Sequence, residues 1–361
     1  MIAYIILFIC IGAIFLIPKQ YFKKYGLVLL MVTFAIFFGI RDNLAVDDLN
    51  YIYIFSTFSK SLENVNVYYQ NVEMIFKVIC RIFGFIHLNY KAVFLLYSSL
   101  TFTFLGLFLK KLELSKKELS IFVMFFLGMA FSTYMTVMRQ FLAIAIALYG
   151  MVLFSEKKYK PSIIWILVSV LFHNSTIVVL FILPIFMDKV KIDYRIKIAI
   201  PIFALILGET GIINDIIKLI AQNLKYGAYV LDEEGKAFAG SGITHYFYLA
   251  VYIIQCIMMK NKQESKNAFL EKGQFIYFTT FFATINSGYA IRVSYIFLIF
   301  LCLLFVTFIK EINTKKLKLL AEIFIYIILI VLIVKNIVSL QNSKFMSNNF
   351  SLDFFTENKI E

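Results

Sequence analysis

The chain has 361 residues, of which 61% are hydrophobic and 18% aromatic, with a mean hydropathy of +0.84. Soluble globular chains carry about 45–50% apolar residues, so these values exclude that class. The net charge of +13 comes from thirty lysines and five arginines, and the lysines are scattered through short loops between apolar runs, which suits orientation in a membrane and excludes a nucleic-acid surface.

The first apolar run, 2–17, lacks a basic n-region and a small-residue cleavage site, so it reads as a span and not as a signal peptide. A crossing takes about 17–25 residues, and polar ends extend shorter runs. The predicted spans are 2–17, 26–40, 92–109, 119–134, 139–154, 162–173, 174–187, 198–213, 243–259, 274–288, 290–309 and 319–338, about twelve in all. A thirteenth run, 72–86, carries Glu73, Lys77 and Arg81 at helical spacing on one face. A charged stripe is costly in hydrocarbon, so this helix is expected to be interfacial or re-entrant, or to face a polar cavity. Segments 162–173 and 174–187 read as a hairpin with a polar tip at His173-Asn174-Ser175, one tilted helix being the alternative.

The six loops 18–25, 110–118, 155–161, 188–197, 260–273 and 310–318 hold 22 basic and 8 acidic residues. If 72–86 does not cross, all six lie on one side, which the positive-inside rule makes the cytoplasm. Both termini, segment 41–91 and loop 214–242 then lie outside. The fold class is all-α polytopic, with a single transmembrane domain over 1–338 and a polar, peripheral tail over 339–361.

Arg41 ends the second span, Arg139 opens the fifth, and Arg292 sits at the outer end of the eleventh. His173 tips the hairpin on the same face, and segment 41–91 adds Asp42, Asp47, Asp48, Glu73 and Arg81. Lysine meets nearly every other need for positive charge, so guanidiniums on the face least expected to carry them suit a polyanion, above all a phosphate or diphosphate. Singly, each arginine is also accounted for as a snorkelling anchor or salt-bridge partner. His87 and His245 lie at span edges and read as structural, and Asp232-Glu233-Glu234 reads as part of a solvated lid or loop. Cys10, Cys80, Cys256 and Cys302 lie singly in apolar segments, which indicates neither a disulfide nor a metal site. Walker A, G-x-G-x-x-G, H-E-x-x-H and G-x-S-x-G patterns do not occur.

An ordered set of short elements resembles the EpsG family of polysaccharide polymerases, relatives in role of the Wzy polymerases. Arg41-Asp-Asn-Leu-Ala-Val-Asp47-Asp-Leu-Asn-Tyr51 is similar to its R-x-x-x-G-x-D-x-x-x-Y element, with Ala45 standing where the family usually has Gly. Glu73, Arg139-Gln140-Phe-Leu-Ala143, Phe172-His173-Asn174-Ser175 and Ala290-Ile291-Arg292 resemble the elements that follow, covering about residues 26–300 in order. The resemblance implies a GT-C-like membrane fold and polymerisation of undecaprenyl-diphosphate-linked oligosaccharide repeat units at the outer face of the cytoplasmic (inner) membrane, yielding capsular polysaccharide, exopolysaccharide or O-antigen. It implies no nucleotide sugar or catalytic metal and no other cofactor; a flippase and a chain-length regulator are the expected partners. Arg41, Arg139 and Arg292 are then expected to hold the diphosphate. His173 is the first choice for the acceptor hydroxyl's proton, with Asp47 or Glu73 as alternatives; Asp47, Asp48, Tyr51, Glu73, Arg81 and Gln140 are expected to bind substrate. The rival functions are a flippase or exporter of lipid-linked glycan, an O-antigen ligase, an O-acyltransferase and a structural scaffold.

Overall fold

The computed structural model describes residues 2–42, 44–62, 72–221, 243–260, 267–288, 290–342 and 349–350; Asp232-Glu233-Glu234 and much of loop 214–242 lie outside them. Apart from a two-residue strand pair, the regular elements among the described residues are helical. Among the described residues, four helices are long and apolar enough to cross a membrane: Lys19–Gly39, Tyr90–Lys111, Lys116–Thr136 and Met138–Ser155. A fifth arises if Tyr194–Glu209 and Ile212–Ile220, bent by 74°, form one span. These coincide with predicted spans 26–40, 92–109, 119–134, 139–154 and 198–213. Tyr4–Leu16, Tyr159–Phe172, Asn174–Phe186 and Thr244–Met258 are apolar but shorter.

Helix Met74–Phe85 has 12 residues, about 18 Å at 1.5 Å per residue, well short of a bilayer's hydrocarbon. It buries Phe76 and Cys80 on one face while the apolar Met74, Val78, Ile82 and Phe85 stay exposed on the other.

The chain forms two compact units, the first comprising 1–120, 127–183 and 330–361, the second 121–126 and 184–329. In the first, Leu27–Gly39 packs on Tyr90–Lys111, which packs on Met138–Ser155, which in turn packs on Tyr159–Phe172. Small residues permit this. A Cβ on Gly39 would meet the Leu95 backbone at 2.8 Å, and one on Gly150 would come within 3.1 Å of Ser162 O. Helix Met138–Ser155 is almost wholly enclosed, its Ala143, Ala145 and Ala147 at 0% exposure.

In the second unit, predicted span 290–309 is three short helices, Arg292–Tyr295, Leu298–Cys302 and Leu304–Glu311. The first break closes with i to i+3 hydrogen bonds, Phe297 N to Ser294 O and Phe300 N to Phe297 O, each 2.9 Å, and at the second Leu303 N donates to Ile299 O at 3.1 Å. Ile296 to Phe305 are buried in protein, where broken helices are tolerated because no freed backbone group faces lipid. A closed ring of Gln255, Gln274 and Thr307 satisfies three buried side chains, with bonds of 2.9–3.0 Å.

Helices Tyr194–Glu209 and Ala268–Ala283 pack together, and a Cβ on Gly208 would lie 1.9 Å from Phe282 O. Backbone cannot yield as a side chain end does. Gly208→Ala is expected to lose about 1–3 kcal/mol through overpacking. Gly12, with nothing within 4 Å of its added Cβ, should accept alanine without loss. Thermal unfolding of the two variants in detergent checks the contrast.

Candidate functional site

The site begins where helix Leu27–Gly39 stops and the chain enters strand Arg41–Asp42. Arg41 and Asp48 are both at 0% exposure, 3.0 Å apart, and Arg41 Nε donates to both Asp48 oxygens at 3.1 Å. Asp48 Oδ2 also accepts the backbone N–H groups of Leu44 and Ala45, each at 2.9 Å, which ties the loop to the start of helix Asp48–Phe58. Burying such a pair costs desolvation that is repaid only when the remaining donors and acceptors are satisfied. Arg41 meets that condition by donating to Phe38 O at 2.9 Å and Met135 O at 3.2 Å, both near helix ends where carbonyls lack intrahelical partners. Phe94 covers the guanidinium at 4.8 Å. Ala45 does not take a left-handed backbone, so alanine fits the position where the family usually has glycine.

Arg41 thereby pins the end of helix Phe131–Thr136, and Tyr51 Oη donates to the next carbonyl, Thr136 O, at 3.5 Å. The chain breaks at Val137, and helix Met138–Ser155 begins with Arg139 as its second residue. The Arg139 guanidinium lies over the rings of Phe76 and Tyr51 at 5.4 and 5.7 Å, while its Nε is buried without a hydrogen-bond partner among the described residues. Its Nη1 pairs with Glu73 Oε2.

Glu73 precedes helix Met74–Phe85, where the helix dipole favours a carboxylate. Its other oxygen, Oε1, lies 3.9 Å from His173 Nε2. His173 ends helix Tyr159–Phe172 in extended backbone (φ −161°, ψ 120°) and caps the 3-10 turn Asn174–Ile177. Its Nδ1 is 2.8 Å from Ser175 Oγ, to which Gln140 Nε2 donates at 3.3 Å. The side chains of Arg139, Glu73 and His173 are 19%, 8% and 23% exposed, so the group is sheltered yet open to a ligand.

The structure therefore brings Glu73, Arg139, Gln140 and His173 together within the first unit, with Tyr51 as a wall and the Arg41–Asp48 pair behind. Other candidates are elsewhere engaged. Arg81 donates to Ser59 O at 2.7 Å, capping helix Asp48–Phe58, and Lys77 lies over Phe58. Asp42 accepts from Tyr90 Oη at 2.7 Å and pairs with Lys91. Asp47 is half-buried at the start of helix Asp48–Phe58. Arg292 is half-buried and opens helix Arg292–Tyr295 in the second unit. His87 takes a left-handed φ of 58° at a helix end and His245 stacks on Phe281, both structural positions.

Two participants are missed by sequence reasoning. Ser175 lies inside the F-H-x-S element, but its link to Gln140 is a tertiary contact. Strand Asn349–Phe350 pairs antiparallel with Arg41–Asp42, Arg41 opposite Phe350, so part of the tail docks on the signature loop; its polar composition carries no signal for this.

Asp48→Ala leaves a buried guanidinium without its counter-charge, and such losses run to about 3–5 kcal/mol. The variant should melt well below the wild type in detergent; equal melting temperatures would show that the pair carries no such load.

The model of the EpsG family matches residues 25–350. No curated protein and no solved structure matches the chain. The match spans every element of the site, from Arg41 through Glu73, Arg139 and His173 to the strand at Asn349–Phe350. The chain belongs to the EpsG family, whose members are polysaccharide polymerase-type membrane proteins.

Proposed function

We propose that this protein polymerises undecaprenyl-diphosphate-linked oligosaccharide repeat units at the outer face of the cytoplasmic membrane, making capsular polysaccharide, exopolysaccharide or O-antigen. The observation that carries the reading is the meeting of a guanidinium, a carboxylate and an imidazole from three separate segments at one sheltered position. In the reaction, the C1–O bond to the diphosphate of the growing chain breaks. A hydroxyl of the incoming unit forms the new glycosidic bond, and its proton passes to a base. Undecaprenyl diphosphate leaves.

The main barrier is charge developing on the leaving diphosphate, and a fixed cation in a water-poor site lowers it most. Arg139 suits this role: its planar fork matches phosphate oxygens, and Phe76 and Tyr51 hold its plane. Glu73 occupies that fork in the resting protein and yields it to the more highly charged diphosphate. Arg41, enclosed by Asp48 and two carbonyls, acts from behind by fixing the helix break that presents Arg139. The pairing of Arg41–Asp42 with Asn349–Phe350 supports a common face for the loop and the C-terminal segment. A flippase supplying outward-facing units and a chain-length regulator are the fitting partners.

Arg139→Ala should insert normally yet abolish long glycan, with single lipid-linked units accumulating on the outer face. Arg139→Lys keeps the charge without the fork and should retain a small fraction of chain extension. Profiling lipid-linked sugars in a deletion strain complemented with each variant reads both. Inward-facing units in the deletion strain would support a flippase instead, unattached long polymer a ligase, and long chains from Arg139→Ala would remove this residue from the chemistry.

A further inference from the structure

His173, Asp47 and Glu73 are the side chains that the sequence offers as acceptors of the hydroxyl proton, and the hydrogen bonds around His173 separate them. The backbone N–H of Ser175 donates to His173 Nδ1 at 3.3 Å. A backbone amide has no acceptor nitrogen, so the Nδ1 lone pair must face it. Ser175 Oγ lies 2.8 Å from the same nitrogen and receives Gln140 Nε2 at 3.3 Å, which directs the hydroxyl proton toward Nδ1. Reversing the Gln140 amide would turn the hydroxyl but not the backbone N–H.

A neutral ring so held carries its proton on Nε2, the nitrogen facing Glu73 Oε1 at 3.9 Å. That separation exceeds a hydrogen bond, and such contacts often tighten when substrate binds. The ring's aim is set by its main chain: His173 N donates to Ser169 O at 3.1 Å, and Thr176 Oγ1 donates to His173 O at 2.9 Å. Ser169 Oγ in turn donates to Thr176 Oγ1 at 2.9 Å.

We propose that Gln140 and Ser175 are positioning residues that hold His173 in its Nε2–H form, so that His173 donates to Glu73 and the Glu73 carboxylate takes the acceptor's proton. The assignment of Glu73 rests on the polymerase reading above. When the diphosphate draws Arg139 away, one carboxylate oxygen is released toward the acceptor and the other is held by the imidazole. The acceptor O–H bond breaks to Glu73, its oxygen bonds to C1, and the C1–O electron pair leaves with the diphosphate. Glu73 then returns its proton to water.

The chain has three histidines, so nitrogen-15 labelling of histidine in proteoliposomes gives a spectrum simple enough to assign with His173→Gln. The wild type at neutral pH should show His173 with an unprotonated Nδ1 and a protonated Nε2. A ring protonated at Nδ1, alone or at both nitrogens, overturns the proposal. With purified lipid-linked units, Ser175→Ala should lower kcat about tenfold at unchanged KM, less than the loss of about 10²–10⁴ expected when the base itself is removed. Ser175→Thr, which keeps the hydroxyl, should restore it. Glu73→Gln should lose on the order of 10²–10⁴ in kcat, as removal of a general base does. Wild-type rates in Ser175→Ala or Glu73→Gln also overturn the proposal. The ring is read without glycan present, so a wild type with the expected ring that makes no polymer refutes the polymerase reading. A polymerising wild type with an Nδ1–H ring refutes only the inference.

Discussion

The buried ion pair between Arg41 and Asp48 is the interaction on which the rest of the first unit depends. Neither charge reaches solvent, and the pair is affordable only because each partner has further work. The carboxylate gathers the N–H groups of Leu44 and Ala45, and the guanidinium closes the carbonyls of Phe38 and Met135. One side chain thus joins the end of Leu27–Gly39 to the end of Phe131–Thr136. It does so two residues before the chain reorients at Val137 and delivers Arg139. A lysine at position 41 would bring the charge but not the geometry, since a single ammonium cannot reach an aspartate and two divergent carbonyls in one plane.

Behind Arg139 the packing is apolar and aromatic. Tyr51, Phe76, Phe94 and Tyr97 belong to one buried cluster with Met138 and Leu142, so the cation stands on a low-dielectric floor. Charges on such a floor interact more strongly than the same charges in water. This explains why three polar side chains suffice to mark the site. Glu73, Arg139 and His173 come from a short amphipathic helix start, a break between apolar helices and the tip of a turn. Those are places where backbone is irregular and side chains escape the helical stripe.

The second unit solves a different problem. Its helices carry polar residues in their interiors, and these are satisfied within the protein: Gln255, Gln274 and Thr307 close on each other, and Lys197 pairs with Glu271 at 2.7 Å. Lys272 donates to Met187 O at 2.8 Å. The sequence run 290–309 breaks twice where Ile296 to Phe305 are buried in protein, the setting in which broken helices are tolerated.

Composition alone determined that this is a helical membrane protein, because a chain so apolar has no soluble fold open to it and helices satisfy their own backbone in hydrocarbon. Periodicity and charge located the long apolar helices and put Arg139 at a helix start. Local pattern could not separate the arginines by role. Arg41 and Arg139 look alike in sequence, each flanking an apolar run, yet one is sealed behind Asp48 and the other lies beside Glu73 with part of its surface open. That difference is made by the break at Val137, the Phe94 ring and the carbonyl of Met135, all contacts between residues far apart in the chain. The same holds for Ser175 and for the strand at Asn349–Phe350. Hydropathy and motif spacing read neighbours along the chain, whereas desolvation and hydrogen-bond direction are properties of what lies across from them.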